Sequence, residues 1–337
     1  MKNEIRRANR ASSNWTCCCA TGTPCLGGNS VRSIFMLLAV GFILSIDAAS
    51  ALAQQKQEGS PDFILTATDG WPIHVTYFES SKGKESPVVV LLTAANGDRK
   101  SAVTRRIWTD LAAHLQRNNF AVLTVDLRKH GDSVPDEGAS ENDRKVLPVD
   151  YRNMVVGDME AVKAFLLERH QDEELNIRKL AIVSSGASGL VGAAFALNDW
   201  NKRPFQDAPR IEDRTPRGQD VHAIVMFSPQ MTRGFDSSRI LKPLRDPQWG
   251  IAFRFYHSSR DGDKEEQKVA KRLFRLVDLK GEEYDGLRSI EAAGASGEEF
   301  LTGKMAKPVQ DDLTAFLETN LEQLQTPWRS RKSPLDD

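Results

Sequence analysis

Three serines and two glycines lie close together where a predicted strand meets a predicted helix. In the segment 179–190, KLAIVSSGASGL, an apolar run ends in small and hydroxyl residues before a second apolar stretch begins. A serine at a sharp strand-to-helix turn projects its hydroxyl out of the sheet, where it can act as a nucleophile. With the strand placed at Lys179–Val183, however, the residue at the turning point is Gly186. The segment therefore predicts the shape of a nucleophilic turn without the reacting atom.

Other serines of this segment offer two alternatives. A register shifted by two residues makes Ser188 the nucleophile, but it requires a longer strand and puts Leu190 where a small residue belongs. Ser185 fits less well because Val183 stands two residues before it. The structural alternative for all these serines is ordinary turn and N-cap hydrogen bonding.

A serine nucleophile also needs a histidine as general base. The six histidines of the chain are His74, His114, His130, His170, His222 and His257, so no histidine follows residue 257. His257 is the one predicted to lie near the end of a strand, which leaves a Ser188–His257 dyad as an open alternative.

Other kinds of catalytic or binding site have no support in the sequence. There is no P-loop, no GxGxxG after a strand and no His/Glu spacing typical of zinc, so we expect neither a metal nor a cofactor. The cysteines, Cys17, Cys18, Cys19 and Cys25, all precede an apolar run at residues 33–46.

The first 53 residues have the features of an export signal: five basic residues, an apolar run of 14 residues and the sequence Ala51-Leu-Ala53. The run is shorter than the roughly 20 residues of a membrane-spanning helix. We therefore expect cleavage after Ala53 and a periplasmic or secreted protein, with a retained N-terminal membrane anchor as the alternative. Residues 54–60 are then a linker.

The mature chain would contain 284 residues, with 40 Lys and Arg against 44 Asp and Glu. This length suits one large α/β domain at residues 61–325, followed by a polar tail at residues 326–337 that we expect to be loose. The nearly balanced charge favours neither nucleic acid nor an anionic membrane surface as a partner. A charged, proline-containing stretch at residues 201–220 is predicted to be a surface insertion.

Alternating strand and helix patterns place the turn within a parallel sheet. Residues 63–78 form two β-rich segments around Asp69-Gly70, a strong hairpin signal. The apolar runs at 87–93 and 120–126 are typical of strands covered on both faces, and helical patterns separate the later strands. We expect further strands at 179–183, 221–227, 251–256 and near 289–292, with helices at 190–197, 265–277 and 309–324.

This order of elements, with a tight turn after the fifth strand, resembles the α/β-hydrolase superfamily over residues 61–325, and most resembles its compact esterases and acyl peptidase-like hydrolases. The stretch Asp126–Ser133, DLRKHGDS, is similar to the segment that follows the family's fourth strand, where its role is structural. The resemblance implies a three-layer α/β sandwich with a mostly parallel sheet of about eight strands, an N-terminal antiparallel hairpin and no large cap.

The resemblance also assigns positions to a catalytic triad, and two of them hold the wrong residue. Gly186 stands at the nucleophile position and Ser296, in the loop 294–298, at the histidine position, whereas Asp261 matches the acid. The backbone amides of Ala94, Ala95 and Ala187 occupy the positions of the oxyanion hole. We therefore expect an inactive hydrolase-like protein that binds a small acyl or ester-like ligand or a protein partner. The alternatives are an active esterase or amidase using Ser188, and an interaction protein that binds through another surface.

Overall fold

A computed structural model describes residues 60–95, 103–134, 145–278, 286–291 and 295–335 of the chain. The predicted export signal at 1–53 and most of the linker lie outside the described residues. Within them, no helix is long and apolar enough to cross a membrane.

Eight strands form one mixed sheet in the order β1-β2-β4-β3-β5-β6-β7-β8. The first two strands form an antiparallel hairpin, β2 pairs antiparallel with β4, and every later pairing is parallel. The strands are β1 (Asp62–Thr66), β2 (Pro72–Phe78), β3 (Val88–Leu92), β4 (Ala121–Val125), β5 (Leu180–Ser185), β6 (Val221–Phe227), β7 (Ala252–Ser258) and β8 (Leu287–Ile290).

Helices cover both faces of this sheet. They are α1 (Thr109–Arg117), α2 (Pro148–Asn153), α3 (Met159–Gln171), α4 (Ser188–Trp200), α5 (Ser237–Leu244), α6 (Lys264–Val277) and α7 (Ala306–Leu317). One apolar core lies between the sheet and α3 to α6, and a second lies between the sheet and the pair α1 and α7. The expected three-layer α/β architecture with its N-terminal hairpin is confirmed.

The strands β3 and β4 are buried along their whole length, as expected from their continuous apolar runs. Several local expectations differ from the structure, and two of them concern helices α5 and α4. Helix α5 was not predicted, because only eight residues carry its pattern and Pro243 interrupts it. Helix α4 extends beyond the predicted 190–197 at both ends, since Ser188 and Trp200 tolerate helical geometry without contributing to the apolar pattern.

The expectation of a loose tail after residue 326 is wrong for the described part of that segment. The Trp328 indole donates a hydrogen bond to the His170 carbonyl at 2.9 Å, and Arg331 pairs with Asp220 at 2.5 Å. Arg331 and Ser333 are buried. Polar composition did not indicate this docking because the charge that attracts Arg331 lies 111 residues away in sequence.

The shape of the Asp126–Ser133 segment comes from a buried carboxylate. The Asp126 side chain accepts hydrogen bonds from the Arg105 amide at 2.6 Å and the Asp132 amide at 3.1 Å, and it pairs with the Arg105 guanidinium at 3.0 Å. A Cβ at Gly131, which has φ +51°, would lie 2.2 Å from the Asp126 carboxyl carbon. Only glycine therefore fits there, and the segment holds the loop after β4 in place.

Candidate functional site

The corner between β5 and α4 is occupied by Gly186. The strand ends at Ser185 and the helix begins at Ser188, with Gly186 between them at φ +55°. Its amide donates to the Phe227 carbonyl at 3.0 Å, which fixes the corner against the end of β6. A left-handed conformation costs an L-residue with a side chain about 1–2 kcal/mol, and glycine avoids that cost. The turn is thus present with a hydrogen atom where a side chain would project.

Ser188 is fully buried in the first turn of α4. Its hydroxyl donates to the Ser185 carbonyl at 2.6 Å, approaches the Leu92 carbonyl at 3.5 Å and accepts from the Ser185 amide at 3.2 Å. Within the described chain, every hydrogen bond of Ser188 thus joins it to the main chain. This hydroxyl stabilises the turn.

Among the described side chains, neither His257 nor Ser296 forms a hydrogen bond with Ser188. The buried His257 donates from Nδ1 to the Ser258 carbonyl at 2.7 Å. Ser296 is exposed, and its amide donates to the Glu299 carboxylate at 3.0 Å at the start of the 3₁₀ helix Gly297–Leu301. Asp261 begins the 3₁₀ turn after β7, and its side chain lies outside the described part of the structure.

The three alanines expected to supply backbone donors lie at the ends of β3 and β5, where the Ala94 amide and the carbonyls of Ala95 and Ala187 form hydrogen bonds. The Ala94 amide donates to the Glu298 carboxyl at 2.7 Å. The Ala95 carbonyl accepts from the Tyr151 hydroxyl at 2.7 Å, and the Ala187 carbonyl accepts from the Thr232 hydroxyl at 2.8 Å. Residues 96–98 of the loop after β3 lie outside the described residues.

Glu298 is the residue at this site that the sequence analysis missed. It belongs to the loop expected to carry the histidine, yet its side chain crosses to the ends of β3 and β5 and is only 6% exposed. Its carboxyl group hydrogen-bonds the Ser185 hydroxyl as well as the Ala94 amide. Burial raises the pKa of Glu298 above its ordinary value, and the hydrogen bonds from its own amide, the Ser185 hydroxyl and the Ala94 amide only partly oppose that effect.

A glycine next to Glu298 allows this close approach. Gly297 has φ +58°, and a Cβ there would lie 2.5 Å from the Ser185 hydroxyl oxygen. Its amide donates to the Ser228 hydroxyl at 2.7 Å, and that hydroxyl donates to the Glu266 carboxylate at 2.8 Å. The glycine before Glu298 was the one feature of the sequence that could have pointed to this close approach. A Gly-Glu pair in a polar loop does not indicate, however, that the acid is buried.

Among the described residues, no group of three or more His, Cys, Asp or Glu side chains is arranged to hold a metal ion. Two surface cavities of about 460 and 300 Å³ lie along α3, away from Gly186. Arg331 from the docked tail borders both, and Lys202, Phe205 and Arg217 of the insertion border the smaller one.

Comparison with known proteins addresses the fold. No protein-family model matches the chain, and no curated protein matches it in sequence. A structure of DcsB in complex with its substrate analogue is 16% identical with a TM-score of 0.50, and the match covers 78% of this chain and 100% of that one. EstE1, a thermophilic carboxylesterase cloned from a metagenomic library, is 13% identical with a TM-score of 0.50, covering 87% and 99%. Likeness at these identities concerns architecture alone. On this architecture, the chain has the α/β-hydrolase fold.

Proposed function

We propose that this chain is an exported α/β-hydrolase-fold protein that binds a small acyl or ester-like ligand, or a protein partner, without serine-triad hydrolysis. The observation that carries the proposal is Gly186 at the corner between β5 and α4, with φ +55°. The position from which a nucleophile would attack is formed, but it has no side chain.

The proposed loss of hydrolysis has a second, independent support. A base must come within hydrogen-bond reach of the nucleophile. The sequence has no histidine beyond residue 257, and the position matched to the family's histidine is the exposed Ser296. Restoring a serine at position 186 would therefore still leave the proton acceptor missing.

A small acyl ligand is supported by what already occupies the site. The carboxyl group of Glu298 has the size and the hydrogen-bonding pattern of an acyl group, and it accepts from the Ala94 amide at 2.7 Å. Backbone amides directed at a carbonyl oxygen are the recognition device that oxyanion holes use. The neighbouring Ser185 hydroxyl supplies a second neutral partner.

An active esterase using Ser188 is the first alternative. It would require the Ser188 hydroxyl to leave the Ser185 carbonyl, which it meets at 2.6 Å, and to reach a histidine. Binding through the 201–220 insertion is the second alternative, and the cavity of about 300 Å³ beside that segment favours it.

Treating the purified protein with a fluorophosphonate probe tests the proposal. We expect no covalent mass addition, with a Ser188→Ala variant and heat-denatured protein as controls. Labelling that Ser188→Ala abolishes would overturn the proposal in favour of the shifted nucleophile. Labelling retained in that variant would equally contradict it, and peptide mapping would locate the serine responsible.

The export part of the proposal rests on the basic and apolar segments at residues 1–53. N-terminal sequencing of the protein recovered from its native compartment should begin at Gln54. Recovery of an intact N-terminus in the membrane fraction would instead favour the retained anchor.

A further inference from the structure

Within the described residues, one buried carboxyl group differs from the others by lacking a basic partner. Each buried aspartate forms an ion pair with an arginine or lysine within the described chain: Asp126 with Arg105, Asp150 with Lys129, Asp158 with Arg128, and Asp199 and Asp220 with Lys163. Glu298 is comparably buried, but among the described residues no Lys, Arg or His pairs with it. A buried ionised carboxylate without a cation is costly, so structural acids are normally compensated as these aspartates are.

Within the described chain, the groups that hydrogen-bond the Glu298 carboxyl are uncharged. The Ala94 amide donates at 2.7 Å, and the amide of Glu298 itself and the Ser185 hydroxyl also form hydrogen bonds with the carboxyl. The neighbouring carboxylate of Glu299 disfavours ionisation further. The surroundings thus suit a neutral carboxyl group better than an anion, as the raised pKa also indicates.

Two of these groups, the Ala94 amide and the Ser185 hydroxyl, lie at the carboxyl ends of β3 and β5, where a ligand would meet them. Ser185 is the residue immediately before the corner at Gly186, and Ala94 follows the end of β3. One carboxyl group spans the distance between them. Any ligand that uses the Ala94 amide must therefore first displace Glu298.

We propose that Glu298 is an internal competitor for the ligand site, whose carboxyl occupies the place of a neutral acyl group such as a protonated carboxylic acid or a primary amide. This inference rests on the proposed function, because it takes the carboxyl end of the sheet as the binding site. It adds the ligand class and an autoinhibitory contact.

The movement that the proposal requires is small. Phe300 and Leu301 are buried in the apolar core, which anchors the following part of the 3₁₀ helix. Upstream, Gly297 is held by the Ser228 hydroxyl at 2.7 Å and Ser296 by the Glu299 carboxylate at 3.0 Å. Withdrawal of residues 296–298 would break these hydrogen bonds and the one from the Ala94 amide, while Phe300 and Leu301 stay in the core.

The test compares how tightly propionamide binds to the wild type, Glu298→Ala and Glu298→Gln. Binding is measured by NMR, from the change in the Ala94 amide signal as propionamide is added. Propionamide is neutral at every working pH and carries a carbonyl that accepts one hydrogen bond from this amide. We expect Glu298→Ala to bind propionamide at least tenfold more tightly than the wild type. Glu298→Gln, which keeps the shape and the acceptor, should bind as weakly as the wild type.

A second variant tests the same idea without deleting the carboxyl group. Gly297→Ala places a Cβ within 2.5 Å of the Ser185 oxygen and should push Glu298 out of the site. We expect several-fold tighter propionamide binding in this variant as well. Gly303→Ala is its matched control, since Gly303 also has positive φ but nothing lies within 4 Å of its Cβ position.

Equal binding by the wild type and a folded Glu298→Ala would overturn the inference, as would no binding by folded Glu298→Ala. If Glu298→Ala does not fold, equal binding by the wild type and Gly297→Ala would overturn it. Replacing propionamide by sodium propionate at neutral pH should weaken binding, and tighter binding of the anion would refute the neutral ligand class. None of these results changes the fluorophosphonate outcome, so failure here is distinguishable from failure of the proposed function.

Discussion

Asp220 and Glu298 are both buried carboxylic acids, but they lie at opposite ends of the sheet and are compensated differently. Asp220 precedes β6 and pairs with Lys163 and Arg331, each at 2.5 Å. Burial opposes its ionisation, yet these two cations outweigh that effect and hold the pKa of Asp220 below its ordinary value. Among the described residues, Glu298 is held by backbone amides and the Ser185 hydroxyl instead of a cation, and burial raises its pKa.

The difference separates a structural acid from one that fills a binding position. Asp220 joins α3, β6 and the C-terminal tail, because Lys163 belongs to α3 and Arg331 to the tail. Glu298 joins a loop to two strand ends through groups that a neutral ligand would equally satisfy. Stability should therefore depend strongly on Asp220, whereas ligand binding should depend on Glu298.

The largest expected effect is that of Asp220→Ala. Removing this carboxylate leaves Arg331 buried without its partner, and breaking a buried ion pair on one side typically costs about 3–5 kcal/mol. Denaturant unfolding measures the loss. Asp311→Ala, which breaks an exposed pair with Lys307, is the control and should change stability by less than about 1 kcal/mol. Comparable losses for both variants would contradict the structural role given to Asp220.

Glu298→Ala should cost less. The variant leaves the Ala94 amide and the Ser185 hydroxyl without their partner, a penalty of about 1–3 kcal/mol for unsatisfied buried groups, but no cation is left unpaired. The same unfolding experiment measures it. A loss as large as that of Asp220→Ala would remove the distinction between the two acids.

Gly186→Ser tests whether a serine at the corner between β5 and α4 is enough to give a reactive nucleophile. The serine would have to adopt φ near +55°, and we expect a loss of about 1–2 kcal/mol in the free energy of unfolding. No fluorophosphonate labelling should appear, because the position matched to the family's histidine holds Ser296. Labelling of this variant would show that another group accepts the proton. Gly250→Ser is the matched control, since Gly250 also has positive φ, at a position far in sequence from the corner.

The smallest expected effect is a difference in pH dependence between the wild type and Glu298→Gln. Because the folded-state pKa of Glu298 is raised above its ordinary 4.5, the folded protein keeps this proton longer than the unfolded chain. The stability contribution is complete below pH 4.5 and is lost as pH rises from there through the folded-state pKa. Glutamine has no such proton, so the wild type should lose stability relative to Glu298→Gln over this range.

Unfolding curves of both proteins at a series of pH values measure that difference. One unit of pKa shift corresponds to about 1.4 kcal/mol, so the effect requires paired measurements in the same buffers. A wild type that instead gains stability relative to Glu298→Gln with rising pH would mean that an unseen positive group compensates the carboxylate.

Much of the fold follows from local sequence patterns. The runs at 87–93 and 120–126 predicted β3 and β4 because strands covered on both faces must be apolar throughout. Gly186 was located at the corner because a strand-to-helix turn requires small residues and positive φ. Helix α5 was missed because its eight residues and internal proline give too short a pattern.

Only the backbone positions of the candidate site were predictable from the sequence. Ala94, Ala187 and Gly186 follow from the order of the elements, because the carboxyl ends of parallel strands meet at one edge. Glu298 was not predictable, since a solvent-exposed acid and a buried one look alike in a polar loop. Its burial depends on contacts with residues about 110 and 200 positions away.

The sequence by itself determined which atoms are absent: no side chain at residue 186 and no histidine after residue 257, whatever the fold. Apolar periodicity also determined the alternation of strands and helices, because burial acts on each element through its own pattern. Only the tertiary structure decided that Glu298 fills the space between Ala94 and Ser185, and that the tail docks through Arg331. Hydrogen bonds and ion pairs between segments distant in sequence form only where the folded chain brings those segments together. A local sequence pattern does not indicate which distant segment a residue will meet.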